Sequence, residues 1–90
     1  MNKSELIDAV SDAAGLTKAD ASRALDAVIG AISDTMGKGE QVSILGFGTF
    51  LVRHRNARTG RNPQTGAEIQ IKAANVPAFK PGKALKDAVN

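Results

Sequence analysis

The chain has no cysteine, no tryptophan and no tyrosine, and its single histidine is His54. Without cysteine there is no disulfide framework and no thiolate metal site, and neither a metal nor a cofactor is expected. One histidine and no thiol leave no nucleophile–base pair in the sequence, so the chain does not read as an enzyme. The glycine patterns do not change this. Gly46-Phe47-Gly48 lacks the third glycine of a dinucleotide loop, because position 51 is Leu51. Gly60 to Gly66 is not followed by the Lys-Ser/Thr of a phosphate-binding loop.

Long apolar runs are also missing. No stretch approaches the ~20 apolar residues of a membrane span. The start, Met1-Asn2-Lys3-Ser4-Glu5-Leu6-Ile7-Asp8, meets acids before any run of signal-peptide length. A soluble, cytoplasmic protein with no membrane partner is the expectation. The only aromatics are Phe47, Phe50 and Phe79, so the core is thin even for a single domain of 90 residues. A dimer that buries what one chain cannot is expected.

Charge is present but unevenly placed. The chain holds 12 Lys and Arg against 9 Asp and Glu, a net +3. Residues 1–40 hold four basic and seven acidic side chains, and residues 41–90 hold eight basic and two acidic ones. Polarisation along the chain is a stronger sign of an electrostatic footprint than the total.

The first half has helical periodicity. Asn2 can cap a helix, with Glu5 three residues later in the capping-box position. Leu6, Ile7, Val10, Ala13 and Ala14 form an apolar stripe, and Gly15 ends it. Thr17 caps a second helix whose stripe includes Leu25, Val28, Ile29 and Ile32, with Gly37 and Gly39 as its stop. Gly30 inside it costs ~1 kcal/mol relative to alanine, which either close approach of another backbone or chance would explain. The helical pair is a poor candidate for a helix-turn-helix reader. The second helix exposes Asp20, Asp26 and Asp34 against only Arg23.

From Gln41 the period becomes that of strands. Gln41 to Leu45 is a first strand, Thr49 to Ala57 a second and Ala67 to Val76 a third, with Ile69, Ile71 and Ala73 alternating on one face. Arg58 to Gly66 reads as a turn-rich polar tip. A short helix from Lys83 to Val89 is entered through Pro81-Gly82. The fold class is α+β: a helical hairpin, a three-stranded antiparallel sheet with an extended β-ribbon arm, and a C-terminal helix (ααβββα). Residues 1–90 make one domain, with 1–52 and 75–90 as dimerisation body and 53–74 as arm.

The arm carries the chemistry. Between positions 53 and 72 lie Arg53, Arg55, Arg58, Arg61 and Lys72 against the single acid Glu68. A bare two-stranded ribbon is marginal in water, so the arm is expected to be mobile when free and to order on binding. Its charge suits phosphate, and each neutralised phosphate releases condensed counterions. The arginine fork fits a narrow minor groove and reads its width more than exact sequence. Non-specific binding of DNA follows as the reading. RNA stands as an additional partner, because phosphate contacts alone do not separate the two. Pro63 at the apex admits two readings: a turn residue after Asn62, or an apolar wedge that enters a base step and kinks the duplex.

At these residues a family resemblance appears. Gly46-Phe47-Gly48-Thr49-Phe50, then Arg55, then Arg58-Thr59-Gly60-Arg61-Asn62-Pro63-Gln64-Thr65-Gly66 resembles the bacterial histone-like HU family. The opening Met1 to Ile7 and the closing Gly82 to Asn90 are similar too, most closely to the HU β type. The resemblance implies an architectural, nucleoid-associated protein that bends and compacts DNA, favouring nicked, bent or otherwise distorted duplexes. It implies a homodimer, or a heterodimer with a related HU subunit, having intertwined helices and two arms in the minor groove, each with Pro63 at a kink. Arg55, Arg58, Arg61 and Asn62 would line the groove, with Arg53, Gln64 and Lys72 on the same arm. Lys3, Lys80, Lys83 and Lys86 would meet phosphates on the body. Phe47, Phe50 and Phe79 would form the shared dimer core, joined by Leu25, Val28, Ile29, Ile32 and Leu45.

The sequence departs from the usual HU β pattern at the arm. Residues 53–56 read Arg-His-Arg-Asn where Lys-Glu-Arg-Ala is common, so His54 replaces an acid. Ala67 stands where lysine is common, and Lys72 restores a charge further down. Two other functions compete. An integration-host-factor-like subunit would prefer particular sites. A basic scaffold for acidic proteins or anionic membrane would use Lys80 to Lys86, which is too short and too weakly apolar for an interfacial anchor.

Overall fold

A computed structural model describes residues 1–90. The chain divides into two compact units, Met1–Asp34 and Thr35–Asn90.

The helices α1 (Lys3–Ala14) and α2 (Lys18–Gly37) make up the first unit, apart from the last three residues of α2, and begin where local capping chemistry places them. The Asn2 side-chain oxygen accepts from Glu5 N–H at 2.9 Å, and Thr17 Oγ1 accepts from Asp20 N–H at 3.1 Å. Gly15, in the left-handed conformation, closes α1. Two small side chains are buried in this unit: Ala21 of α2 is 0% exposed, and Ser11 of α1 donates its hydroxyl to Leu16 O in the turn between the helices at 2.6 Å. The ion pairs Lys3–Asp26 (2.8 Å) and Lys18–Asp8 (3.4 Å) link the two helices. The second helix does not stop at Gly37 but includes it. No atom outside the local helix lies within 4 Å of where a Gly30 Cβ would stand, so nothing in one chain requires glycine there.

In the second unit, β1 (Val42–Ile44), β2 (Gly48–Arg55) and β5 (Ala74–Pro81) form an antiparallel sheet in the order β1-β2-β5. A separate two-stranded ribbon pairs β3 (Arg58–Arg61) with β4 (Glu68–Ile71). The helix α3 (Lys83–Ala88) follows β5 directly. The expected α+β architecture is present, with its boundaries corrected. The second expected strand is interrupted after Arg55 and resumes as β3, so Arg58 to Arg61 is paired strand and not part of the tip. The third likewise divides into β4 and β5, and β5 runs through Pro77 to Pro81 instead of ending at Val76. Proline is tolerated there because β5 is an edge strand, where a missing donor can face away from the ladder.

The register sorts the sheet into two unlike faces. Val42 opposes Phe50, which opposes Phe79, and Val52 opposes Pro77. The rings of Phe50 and Phe79 lie 4.8 Å apart, and those of Phe47 and Phe79 lie 5.6 Å apart. Gly48 opposite Pro81 makes this packing possible, since a Cβ there would stand 2.4 Å from Phe79 Cζ and 2.6 Å from Lys80 O. The cluster is nevertheless incompletely covered: Phe79 is 38% and Phe47 45% exposed. In the whole chain Ala21 is the only buried hydrophobic residue. Leu45 lies beyond β1 in the turn and is 102% exposed.

Candidate nucleic-acid interface

Side chains alternate across a strand, so the apolar face bearing Phe50, Val52, Pro77 and Phe79 implies an opposite face. That face carries Thr49, Leu51, Arg53 and Arg55 from β2, with Lys80, Ala78, Val76 and Ala74 opposite them in β5. Ser43 of β1 joins it, and Thr49 Oγ1 donates to Ser43 Oγ at 3.3 Å. The side of the sheet away from the phenylalanines thus carries three cations, Arg53, Arg55 and Lys80, among short polar side chains and the apolar Leu51, Val76, Ala74 and Ala78. His54 belongs to the phenylalanine side, where its Nδ1 lies 3.2 Å from Asn75 Oδ1. It is not part of the surface bearing Arg53 and Arg55.

Beyond Arg55 the chain leaves the sheet. Arg55 Nη2 donates to Lys72 O at 3.3 Å, tying together the two breaks from which the ribbon departs. In the ribbon, Arg58 opposes Ile71, Gly60 opposes Ile69, Thr59 opposes Gln70 and Arg61 opposes Glu68. Arg58, Gly60, Ile69 and Ile71 therefore share one face, and Thr59, Arg61, Glu68 and Gln70 the other. Ile71 Cδ1 lies 3.2 Å from where a Gly60 Cβ would be, so the isoleucine packs over the glycine. One cation stands on each face of the ribbon, an arrangement that a shared polar tip did not suggest.

The apex is Asn62 to Ala67. Asn62 N–H donates to Ala67 O at 2.9 Å, Gly66 N–H to Asn62 O at 2.8 Å, and Gln64 N–H to Asn62 Oδ1 at 2.9 Å. Thr65 Oγ1 accepts from Ala67 N–H at 3.3 Å. Pro63 and Gln64 are exposed at the end of the ribbon.

Ion pairing separates the cations into two groups. Lys3, Lys18, Arg23 and Lys83 each meet a carboxylate, the last two through Asp20 at 3.7 Å and Asp87 at 2.7 Å. The other eight of the 12, including Arg53, Arg55, Arg58, Arg61, Lys72, Lys80 and Lys86, have none. Arg61 stays unpaired although Glu68 faces it across the ribbon. The pairs at Lys3 and Lys83 are solvent-exposed, and such pairs contribute ~0–1 kcal/mol. A phosphate can displace either carboxylate at small cost. Lys80 belongs to the sheet face of Arg53 and Arg55, whereas Lys86 lies in the last turn of α3 and Lys3 in the first unit.

A sheet with one basic face and a detached ribbon of unpaired arginines define a nucleic-acid-binding protein. The comparisons with known proteins place it more narrowly. The family model for bacterial DNA-binding proteins matches residues 1–90, and the chain belongs to that family. The chain is 62% identical over 89 residues to HU-alpha of Vibrio proteolyticus and 61% identical over 90 residues to HU-beta of Serratia marcescens. These alignments cover 99% of both chains in the first case and 100% of both in the second. An HU–DNA cocrystal structure from Anabaena superposes with a TM-score of 0.91 at 44% identity, covering 99% of this chain and 97% of that one.

Proposed function

We propose that the chain is an architectural DNA-binding protein of the nucleoid that acts as a dimer and bends duplex DNA without reading its sequence. The observation that carries this reading is the separate β3–β4 ribbon, with an unpaired arginine on each face and Pro63 at its exposed apex. A minor groove has a phosphate wall on either side. A ribbon lying in it with Arg58 on one face and Arg61 on the other meets both walls, and neither contact requires a particular base.

Bending is where the proline and the body enter. Smooth bending of a 20–30 base-pair site costs about 1–6 kcal/mol. An apolar wedge that unstacks one step concentrates the bend there. Pro63 suits that role because it has no N–H to leave unsatisfied between bases. The bend is then held by cations off the ribbon: Arg53, Arg55 and Lys80 on the sheet face, with Lys3, Lys83 and Lys86 as further phosphate contacts. A nicked duplex has already lost much of its stiffness, so its deformation costs less and its affinity is higher.

Family membership and full-length likeness to HU proteins support the DNA partner. The chemistry is binding alone. The dimer is supported by burial, because no large hydrophobic side chain is buried within one chain. Residues 1–52 and 75–90 of two copies would form the body, and residues 53–74 of each an arm. The test of the wedge is the end-to-end distance of a doubly labelled linear duplex at saturating protein. Pro63→Ala retains most of the affinity but gives a straighter duplex; a bend equal to that of the wild type rejects the wedge.

A further inference from the structure

Asn62 lies where a groove contact is expected, yet its side-chain oxygen is already committed. Gln64 N–H can only donate, so the Asn62 atom 2.9 Å from it is the amide oxygen. Both backbone groups of Asn62 are engaged as well, its N–H with Ala67 O and its C=O with Gly66 N–H. Asn62 is half-buried between exposed neighbours on both sides.

The residue enclosed by these bonds is Pro63. The pyrrolidine ring fixes φ of Pro63 near −65°, which leaves ψ as its one soft backbone torsion. That torsion sets the orientation of the Pro63–Gln64 peptide group, whose N–H is the donor that Asn62 Oδ1 holds. The ring removes one freedom and the Asn62 side chain removes the other. Proline also biases the residue before it toward extended backbone, and asparagine is suited to bond the backbone two residues on.

We propose that Asn62 is a positioning residue: it aims Pro63 by holding the Gln64 amide and is not a reader of the groove. This rests on the wedge reading of Pro63. Ordering the apex before DNA arrives means that less conformational freedom is lost when the proline enters the base step.

The test compares wild type with Asn62→Ala, Asn62→Asp, Pro63→Ala and the Asn62→Ala/Pro63→Ala double variant in the full-length protein. The probe is a doubly labelled linear duplex, read for bend at saturation and for the salt dependence of affinity. Asn62→Ala loses the same part of the bend as Pro63→Ala with an unchanged salt slope, and the double variant is no straighter than Pro63→Ala. Asn62→Asp keeps the acceptor oxygen but loses the amide N–H donor. It restores the bend at saturation, while its added negative charge lowers affinity at low salt. A groove contact through the amide N–H predicts the reverse, with Asn62→Asp losing as much bend as Asn62→Ala, and that result overturns the proposal. If Pro63→Ala loses the bend while Asn62→Ala keeps it, only the positioning role falls. If Pro63→Ala bends fully, the wedge reading fails and the proposal with it.

Discussion

At the scale of the residue, two positions show how little room the fold leaves around its small core. Gly48 is buried against the Phe79 ring and the Lys80 carbonyl, and a methyl group there would overlap both. Backbone atoms cannot move aside as a flexible side chain does. Gly48→Ala therefore destabilises the protein by about 1–3 kcal/mol, read as a lower urea midpoint; an unchanged midpoint would contradict the packing described for Phe79. Gly60 is the milder case, because its neighbour is the far end of Ile71. The two caps were legible from sequence because capping is local chemistry: Asn2 and Thr17 meet backbone N–H groups three residues away. Arg58 to Arg61 was misread for the same reason in reverse. Arg-Thr-Gly-Arg has the composition of a loop, and only pairing with Glu68 to Ile71, distant in sequence, makes it a strand.

At the scale of the element, α2 and the ribbon make different demands. The apolar stripe of α2 was readable, but Val28 and Ile29 remain exposed in one chain. Periodicity tells which face seeks burial without telling what covers it. Gly30 is a separate matter, since nothing lies within 4 Å of its absent side chain. Gly30→Ala is expected to stabilise the protein by about 1 kcal/mol, raising Tm by roughly 4–8 °C. A lower Tm would place another backbone against this turn of α2. In the ribbon, the one-residue alternation that puts Arg58 and Arg61 on opposite faces follows from a register the sequence does not display. Ile69 and Ile71 on a common face were visible as an alternating pair, and the register adds that they share that face with Arg58.

At the scale of the whole molecule, the thin core and the uneven charge have consequences for assembly and for binding. Three phenylalanines and one buried alanine cannot offset the chain entropy of 90 ordered residues without further burial. Folding and dimerisation are then one equilibrium, and Tm rises with protein concentration. A Tm constant over a hundredfold dilution series, about 2.7 kcal/mol in RT ln units, would contradict the dimer. The cations divide by whether they have a carboxylate partner. All the cations without a carboxylate lie in residues 35–90, and the ribbon's share of them was legible in the sequence as a cluster. Their sorting onto ribbon faces and onto the sheet side opposite the phenylalanines was not.

The central claim is that unpaired arginines on both faces of the β3–β4 ribbon hold DNA through its phosphates. It is tested most directly by the salt dependence of affinity for two unrelated linear sequences and a nicked duplex, with wild type and the Arg58→Ala/Arg61→Ala variant. The wild type is expected to give one common steep slope on both linear sequences and tighter binding to the nicked duplex. The variant should lose affinity equally on both sequences, with a slope shallower by about 1.8, from ~0.9 per lost phosphate contact. An unchanged slope, or a loss confined to one of the two sequences, would contradict it.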